Sequence, residues 1–422
     1  MRTLLVHQNF PGQFRYLAPA LAKQPGAQVV ALGDAANVRD PELANLRLID
    51  YPTPRGASAE THHYLRTLEA ATRRGQQVAR AAMSLRQEGF RPDIILAHPG
   101  WGEALFLKDI WPDARLIHYF ELFYNPSGYD VGFDPEYPAG LDDVLRLRLR
   151  NTVNLHALEC GDWGLSPTRF QYGSFPQRHR QRISVIFDGV DTNRIAPDPE
   201  ATLILPDGRS LSRDDAVLTF INRNLEPYRG FHVFMRALPE LQARRPDLHC
   251  VIIGGDSVSY GRTPTGADSY RELLLREVGD RLNLERVHFL GRVPYETFLD
   301  AMRIGRVHLY LTYPFVLSWS LIEAMSMECA IAASATAPVR EVITDGDTGL
   351  LFDFFDQEAM LSQIERLLDD AALRMSLGRR ARAVAQAEYD LRSRCLPAQL
   401  ALLRTIADGG TPVPGPLLPP AP

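Results

Sequence analysis

The chain has 422 residues, which is enough for two domains with separate cores. With 45% hydrophobic and 23% charged residues and a formal charge of −5, it has the composition of a globular protein and no basic excess that would favour nucleic acid. No run of about 18 apolar residues predicts a membrane span, and the first residues predict a strand and not a signal peptide, so we expect a cytoplasmic protein.

The N-terminal half predicts alternating strands and helices. Its strands are expected at 3–6, 29–32, 46–49, 94–97, 116–119, 164–168 and 183–186. The loop after the first strand contains Gly12, which allows a backbone to approach a ligand closely. Residues 125–140, rich in Gly, Pro and aromatic residues, predict an ordered loop long enough to be functional.

Polar side chains cluster where several of these strands end. They are His7, Asn9, His98, Trp101, Glu103, His118, Glu121 and Tyr124. Ligands of open α/β sheets bind beyond the carboxyl ends of the strands, so we interpret this group as a candidate acceptor site. Taken singly, each of these histidines is better explained by a structural hydrogen bond, whereas their grouping at consecutive strand ends makes a site an equally good explanation.

The strand–helix alternation restarts in the second half. Residues 197–215 have the composition of a linker, and further strands are expected at 217–221, 250–253, 287–290, 307–313 and 330–333. The restart predicts two doubly wound α/β domains, 1–196 and 216–388, that face each other. A last amphipathic helix is expected within 389–408, followed by a disordered tail, 409–422.

Two features of the second half predict an anion site. The loop 222–230 carries Arg223 and Arg229, whose guanidinium groups suit bidentate contacts to phosphate oxygens. After the strand 307–313, Ser318 begins a helix that contains Glu323 one turn inside. Helix N-termini at the carboxyl edge of a parallel sheet favour a phosphate or a sugar hydroxyl.

The stretch 307–341 resembles the C-terminal signature of retaining, nucleotide-sugar-dependent glycosyltransferases of sequence family four, which have the GT-B fold. Glu323-Ala324-Met325 and Glu341-Val342-Ile343 match that signature, and residues 223–230 match the family's loop with two cations. The resemblance covers the chain to about residue 407. It implies two Rossmann-like domains across a cleft, with the last helix crossing back onto the first domain.

The resemblance also implies roles for individual residues. Arg223 and Arg229 would hold the donor pyrophosphate and stabilise the leaving group, and Glu323 would bind the ribose hydroxyls. A catalytic role near the end of the fifth strand would belong to His118 or Glu121. The implied donor-binding set is Gly12, Arg223, Arg229, Gly254, Val293, Phe315, Ser318, Trp319, Ser320 and Glu323.

The sequence departs from the family pattern at Phe315, where the first Glu of the Glu-x7-Glu motif is expected. Glu328 and residues 316–318 replace the glycines that are usual around this helix. A ring in place of a carboxylate has three possible interpretations. The donor sugar has fewer hydroxyl groups, the sugar is held from its other side, or the protein is catalytically inactive. The ring would either contact the apolar face of the donor sugar or fill space between the domains.

The predicted function is the metal-independent, retaining transfer of a sugar from a nucleoside-diphosphate sugar to a hydroxyl acceptor, without a cofactor. The acceptor, a glycan, lipid-linked saccharide, protein or small molecule, stays open, as do the oligomeric state and peripheral contact with the inner membrane face. Asp345-Gly346-Asp347 predicts a turn and not a metal site. The alternative is an inactive nucleotide-sugar-binding scaffold. An epimerase or phosphorylase of this fold is disfavoured, because the only lysines, Lys23 and Lys108, are badly placed for a cofactor.

Overall fold

The computed structural model describes residues 1–39 and 45–416. Their contacts divide the chain into two compact units. Unit 1 comprises Met1–Gly189 and the described residues from Arg392 onward, and unit 2 comprises Val190–Leu391.

Unit 1 begins with seven strands and seven helices. The strands are β1 (Arg2–Val6), β2 (Gln28–Asp34), β3 (Leu46–Tyr51), β4 (Ile94–Ala97), β5 (Arg115–Tyr119), β6 (Trp163–Ser166) and β7 (Ile183–Val185). The helices are α1 (Leu17–Ala22), α2 (Arg66–Gln87), α3 (Leu107–Ile110), α4 (Leu141–Arg150), α5 (Thr152–Cys160), α6 (Arg169–Ser174) and α7 (Gln177–Arg180), with a 3-10 turn at Gly12–Phe14.

The sheet of unit 1 is parallel and buried on both faces. Leu5 and Leu96 face one cluster of apolar side chains, whereas Leu4 and Ile95, one residue away on the same strands, face another. This alternation is what a two-sided sheet requires, because successive side chains of a strand point to opposite faces. Helices therefore cover both sides.

Unit 2 contains a six-stranded parallel sheet and a short antiparallel hairpin. Its strands are β8 (Thr202–Ile204), β9 (Ser210–Ser212), β10 (Val217–Asn224), β11 (His249–Gly255), β12 (Val287–Gly291), β13 (Val307–Tyr310), β14 (Ile331–Ser334) and β15 (Leu350–Phe352). Its helices are α8 (Phe231–Arg244), α9 (Tyr270–Val278), α10 (Tyr295–Ile304), α11 (Trp319–Ser326), α12 (Ala337–Arg340), α13 (Gln357–Asp369) and α14 (Ala371–Glu388), and its 3-10 turns are Pro227–Arg229, Gly279–Arg281 and Leu284–Arg286. The strand order of the parallel sheet is β12-β11-β10-β13-β14-β15.

The segment 197–215, predicted as a linker, folds as part of unit 2. It forms the β8–β9 hairpin around Gly208, which has φ of +86°. Leu203 and Leu211 pair across the hairpin and are both buried. The Asp207-Gly208 dipeptide between two short alternating runs was the signal for a hairpin. The predicted boundary at residue 196 thus differs from the observed one at residue 189.

Two long helical segments are each divided in the structure. The run 359–385 is split into α13 and α14 at Asp370, whose side chain accepts a hydrogen bond from the backbone N–H of Leu373 and begins a new helix. The run 142–159 is split into α4 and α5 at Asn151, whose side-chain oxygen accepts instead from the backbone N–H of Tyr124. In both cases the side chain of a polar residue accepts a hydrogen bond from a backbone N–H where the helical pattern is interrupted.

The chain returns to unit 1 through a π turn, Leu391–Cys395, and helix α15 (Leu396–Ala407). Leu402, Leu403 and Ile406 of α15 are buried in the same core cluster as Leu17 of α1. The tail, predicted to be disordered, differs: Gly415–Pro416 forms strand β16, which pairs with β7 and completes the order β16-β7-β6-β5-β4-β1-β2-β3. Residues 417–422 of that predicted tail lie outside the described residues.

None of the helices in the described ranges combines the length and the apolar character that crossing a membrane would require.

Candidate functional site

The first part of the candidate site lies where β10 of unit 2 ends. The strand continues three residues beyond its predicted end, so Arg223 is still part of it. Arg229 is the last residue of the 3-10 turn that follows, and Gly230 leads into α8. Gly230 has φ of +68°, and a Cβ atom there would lie 2.3 Å from Cβ of Leu311. Only glycine fits this position, which brings the loop against the strand end of β13.

Arg229 is a buried cation with a single side-chain hydrogen-bond partner among the described residues. The residue is 6% exposed, and its Nη1 donates a hydrogen bond to Oγ1 of Thr312 over 2.7 Å. Among the described residues no carboxylate forms an ion pair with it, nor with Arg223, which is exposed. Burying a charge without a counter-charge is costly, so this position favours an anionic ligand.

Thr312 is itself held in place. Its backbone N–H donates to Oγ of Ser334 over 3.1 Å, and that hydroxyl donates to the carbonyl of Thr312. The two residues belong to the ends of neighbouring strands. Thr312 therefore presents Arg229 with a fixed acceptor.

The second part of the site is the beginning of α11. Ser318 caps this helix, its side chain accepting from the backbone N–H of Ser320, and its own backbone N–H donates to the hydroxyl of Tyr310 over 3.1 Å. Trp319 is half-buried and Ser320 is buried at the first turn. Glu323, 4% exposed, accepts a hydrogen bond from the hydroxyl of Tyr295 over 2.6 Å. A buried carboxylate oriented in this way can bind ribose hydroxyls.

A third part, which sequence reasoning missed, is the anchoring of the loop 256–261 after β11. Glu226 is 1% exposed, and its carboxylate accepts from the backbone N–H groups of Ser259, Tyr260 and Gly261, each over 3.1 Å. Asn224 donates to Oγ of Ser259 over 2.6 Å. A loop with three consecutive backbone donors on one buried carboxylate is well fixed. No local pattern signals such contacts, which are more than 30 residues apart in sequence.

Gly254 and Val293 flank this loop. A Cβ atom at Gly254 would lie 2.7 Å from Leu225, so the glycine permits close packing of the β10 and β11 ends. Val293 is half-buried and follows Arg292, whose Nη2 donates to Oδ1 of Asn224 over 3.1 Å. Arg292 thus joins the loops that follow β10 and β12.

Phe315 lies in an aromatic cluster within unit 2. The ring is 6% exposed and packs on Tyr260, with ring centroids 4.8 Å apart, and edge-on against Tyr228 at 5.5 Å. Tyr228 in turn packs on Tyr313 at 4.8 Å. The ring is therefore surrounded by tyrosines, a packing position that neither sequence hypothesis for Phe315 included.

In unit 1, a polar network forms where β1, β4 and β5 end. The backbone N–H of Asn9 donates to Nδ1 of His7, so the proton of His7 is on Nε2, which donates to Oε1 of Gln13 over 2.6 Å. Gln13 donates onward to Oε1 of Glu121 over 3.3 Å. Nε2 of His98 lies 3.7 Å from Oε2 of the same carboxylate. Glu121, with a side chain 34% exposed, is thus the exposed end of the network.

The histidines of this network are held among aromatic rings. His98 stacks on the half-buried Trp101 with centroids 4.1 Å apart, and both contact His7 edge-on. Burial, with a smaller contribution from the charge of His98, lowers the pKa of His7 to about 3. His7 is therefore neutral at physiological pH. Gly12 covers its ring, since a Cβ atom there would lie 2.5 Å from Cε1 of His7.

Glu103 belongs to a separate buried network under the same edge. Oε1 of Glu103 accepts from the hydroxyl of Tyr51 over 3.4 Å, and Arg74 contacts both that hydroxyl, at 3.3 Å, and Oδ2 of Asp34, at 2.6 Å. Burial raises the pKa of Glu103 to about 7, although Arg74 opposes the shift. Glu103 is fully buried, so it does not reach the exposed edge with Glu121.

Two predicted residues do not join Glu121. His118 is buried beside Gly161 and Phe120, and burial lowers its pKa to about 3. It lies on the opposite face of β5 from Tyr119, because neighbouring strand residues alternate. Tyr124 is held by Arg150, whose Nη2 donates to its hydroxyl over 2.7 Å and whose guanidinium lies 3.7 Å from its ring. The structure thus leaves Glu121, and not His118, at the exposed edge.

Asp345-Gly346-Asp347 forms a turn, with Gly346 at φ of +72°. Oδ1 of Asp345 accepts from the backbone N–H of Leu351 over 2.8 Å, and Asp347 pairs with Arg380 at 2.7 Å. Within residues 1–39 and 45–416, no group of three or more His, Cys, Asp or Glu side chains is arranged to hold a metal ion.

The fold is shared with proteins of known structure. Sucrose-phosphate synthase from Thermosynechococcus elongatus superposes with a TM-score of 0.73 over 97% of this chain and 100% of that one, at 17% sequence identity. HepE from Anabaena, crystallised with UDP, superposes with a TM-score of 0.67 over 96% of this chain and 99% of its own, at 15% identity. Two parallel-sheet α/β units with sites at their strand ends define a protein of the GT-B fold class.

Two family models cover most of the chain. The model described as glycosyl transferase family 4 group matches residues 25–195, and the model of the glycosyl transferases group 1 matches residues 207–384. Each model matches about two fifths of the chain, so the chain is similar to glycosyltransferases over these two segments.

Curated relatives are similar over part of their length. Phosphatidyl-myo-inositol mannosyltransferase of Mycolicibacterium smegmatis is 33% identical over 44% of this chain and 43% of its own length. The GDP-mannose-dependent alpha-(1-6)-phosphatidylinositol monomannoside mannosyltransferase of the same organism is 28% identical over 70% of this chain and 73% of its own. D-inositol 3-phosphate glycosyltransferase of Corynebacterium aurimucosum is 29% identical over 68% of this chain and 66% of its own.

Proposed function

We propose that this chain is a glycosyltransferase that moves a sugar from a nucleoside-diphosphate sugar to a hydroxyl group of an acceptor, with retention of configuration and without a metal ion. The buried guanidinium of Arg229 carries the proposal, because its side chain donates a hydrogen bond to Thr312 and forms no ion pair with a carboxylate among the described residues. A diphosphate supplies the negative charge that this position needs.

The other residues proposed to contact the donor lie at the same edge of the sheet in unit 2. Arg223 is exposed at the end of β10, on the strand that leads to Arg229, and provides a second cation for the diphosphate. Glu323, oriented by Tyr295, is suited to the ribose hydroxyls. Together these groups would hold the nucleotide and stabilise the charge that develops on the leaving diphosphate.

The two arginines support transfer with retention of configuration, because they allow the reaction to proceed without a separate nucleophile from the enzyme. The C1–O bond to the diphosphate breaks while the acceptor oxygen attacks C1 from the same face. The acceptor proton passes to an oxygen of the departing diphosphate, so the leaving group is also the base. Arg223 and Arg229 would neutralise the diphosphate during this step. Their two positive charges are also why a divalent cation is not required.

The acceptor hydroxyl is proposed to bind at the Glu121 network of unit 1. The carboxylate is partly exposed and is oriented through Gln13 and His7. A carboxylate accepts hydrogen bonds from hydroxyl groups, so a neutral polyol suits it. The names of the relatives, which include phosphatidylinositol and D-inositol 3-phosphate as substrates, support an inositol or a similar polyol as the acceptor group.

A thermal-shift screen tests this function. The native protein is heated with UDP, GDP, ADP and dTDP and with their sugar derivatives, including GDP-mannose. One family of nucleotides should raise Tm, since a ligand at 100 times its Kd stabilises a protein by about 2.7 kcal/mol. The absence of stabilisation by every nucleotide would contradict the proposal. An inactive scaffold, the alternative, would bind a donor and never turn it over.

A further inference from the structure

Phe315, where the family resemblance implies a glutamate, is buried by its neighbours. Its ring lies against Tyr228 and Tyr260 and is 6% exposed. Tyr260, in contrast, is 39% exposed. The ring that this cluster presents to solvent is that of Tyr260.

Tyr260 is held firmly although it is exposed. Its backbone N–H and that of Gly261 donate to Oε2 of Glu226, and the preceding N–H of Ser259 donates to Oε1. Asn224 holds the same loop by accepting from Oγ of Ser257 over 3.0 Å and donating to Oγ of Ser259. A fixed loop reduces the entropy that binding would otherwise cost.

The position of Tyr260 is close to the proposed diphosphate site. The centre of its ring lies 5.6 Å from Cζ of Arg229, within the range of a cation–π interaction. Its ring also contacts Phe315 at 4.8 Å. Among the described residues, the Tyr260 hydroxyl has no hydrogen-bond partner. Tyr260 therefore offers a ligand two kinds of contact beside a buried cation. Its exposed, immobilised ring provides an apolar face, and its hydroxyl is available for a hydrogen bond.

We propose that Tyr260 is a specificity-determining residue that contacts the donor sugar, its ring against the apolar face of the sugar and its hydroxyl on a sugar hydroxyl. Glu226 is the positioning residue that holds the backbone of Tyr260 in place. A sugar ring combines apolar C–H faces with hydroxyl groups, and tyrosine offers a partner to each. The inference rests on the proposed function, since it names the residue that reads the sugar of the same donor.

The test compares two ligands on matched variants. Titration calorimetry measures Kd for UDP, GDP, ADP and dTDP and for the corresponding glucose derivatives and GDP-mannose, on native protein, Tyr260→Phe, Tyr260→Ala and Glu226→Gln. Phe355→Ala is the control, because Phe355 is 43% exposed in the same unit and lies outside the loop. Melting temperatures are measured on every variant to establish that each is folded.

We expect Tyr260→Phe to raise Kd for the sugar nucleotide about three- to tenfold and Tyr260→Ala to raise it more, with Kd for the bare diphosphate within about twofold of native. Glu226→Gln should show the same selective loss, because the amide cannot accept all three backbone hydrogen bonds. The control should change neither value.

Equal affinities in native protein and both Tyr260 variants, or equal losses for diphosphate and sugar nucleotide, would overturn the assignment and leave the proposed function intact. If the native protein binds none of the diphosphates, the proposed function fails and the inference fails with it.

Discussion

Arg229 and Thr312 are joined by a hydrogen bond of 2.7 Å between the guanidinium and the threonine hydroxyl, at a position where both side chains are buried. The bond orients a charge that has no carboxylate partner among the described residues. This relationship links the loop after β10 to the end of β13 and defines where an anion would bind.

Arg229→Ala and Arg223→Ala should each weaken binding of the diphosphate that stabilises the native protein. A charge-assisted contact contributes about 1.5–3 kcal/mol, which corresponds to an increase in Kd of roughly 10- to 150-fold. Titration calorimetry measures the change. Arg236→Ala is a matched control, since Arg236 pairs on the surface of unit 2 with Glu277 at 2.7 Å. Unchanged Kd in both site variants would remove the anion site from this loop.

Gly230→Ala should destabilise the protein for two reasons, a backbone conformation that alanine rarely adopts and a steric clash. The position has φ of +68°, and the new Cβ would lie 2.3 Å from Cβ of Leu311. We expect the free energy of unfolding to fall by about 2 kcal/mol or more, measured by urea denaturation. Gly266→Ala isolates the backbone contribution, since Gly266 has φ of +81° and a Cβ atom there would meet no other atom within 4 Å. Equal losses in the two variants would show that the contact with Leu311 contributes nothing.

Phe315→Ala should lower the free energy of unfolding by about 3 kcal/mol, because a ring packed between Tyr228 and Tyr260 is replaced by a cavity. Phe315→Leu, which retains most of the volume, should lose less. Urea denaturation of both variants gives the comparison. Full stability of Phe315→Ala combined with a selective loss of sugar-nucleotide affinity would show instead that this ring contacts the sugar directly.

The dependence of stability on pH should contain a contribution from Glu103. Burial raises its pKa to about 7 from an unfolded value of 4.5, so the folded state binds the proton more tightly. The stabilisation is complete below pH 4.5 and is lost as the pH rises through 7, with an amplitude on the order of 3 kcal/mol. Glu103→Gln should therefore lose less stability than native protein between pH 5 and pH 8, measured by urea denaturation. Parallel curves would mean that Glu103 is ionised throughout.

The sequence alone predicted those parts of the candidate site that are formed by residues close together in the chain. Arg229 lies in the loop that follows β10, and Glu323 lies in the helix that follows β13, so the strand–loop–helix pattern predicts the edge of the sheet at which both lie. The family resemblance supplied the fold for the same reason, since its motifs are strand ends and helix starts. The predicted strand ends were displaced by a few residues at most for β10, β11 and β13.

The other features of the site could not be predicted from the sequence. They depend on contacts between residues far apart in the chain, or on which of two neighbouring strand residues faces each side of the sheet. Nothing near Glu226 in the sequence indicates that its carboxylate meets the backbone of Tyr260. His118 and Tyr119 are adjacent and both were near a predicted strand end, but the register decides which one faces which side of the sheet. The burial of Phe315 by two tyrosines from other loops was likewise not encoded in its own neighbourhood.

Sugar transfer with retention, using the Arg229 site in place of a metal ion, is tested most directly on the reaction product. Native protein is incubated with the sugar nucleotide selected by thermal shift and with inositol or inositol phosphate acceptors in EDTA, and the anomeric proton of the product is followed by NMR. We predict a product with the configuration of the donor, an undiminished rate in EDTA, and a loss of about 10- to 1,000-fold in kcat/KM for Arg229→Ala. A product of inverted configuration, or activity abolished by EDTA and restored by Mn²⁺, would contradict this mechanism.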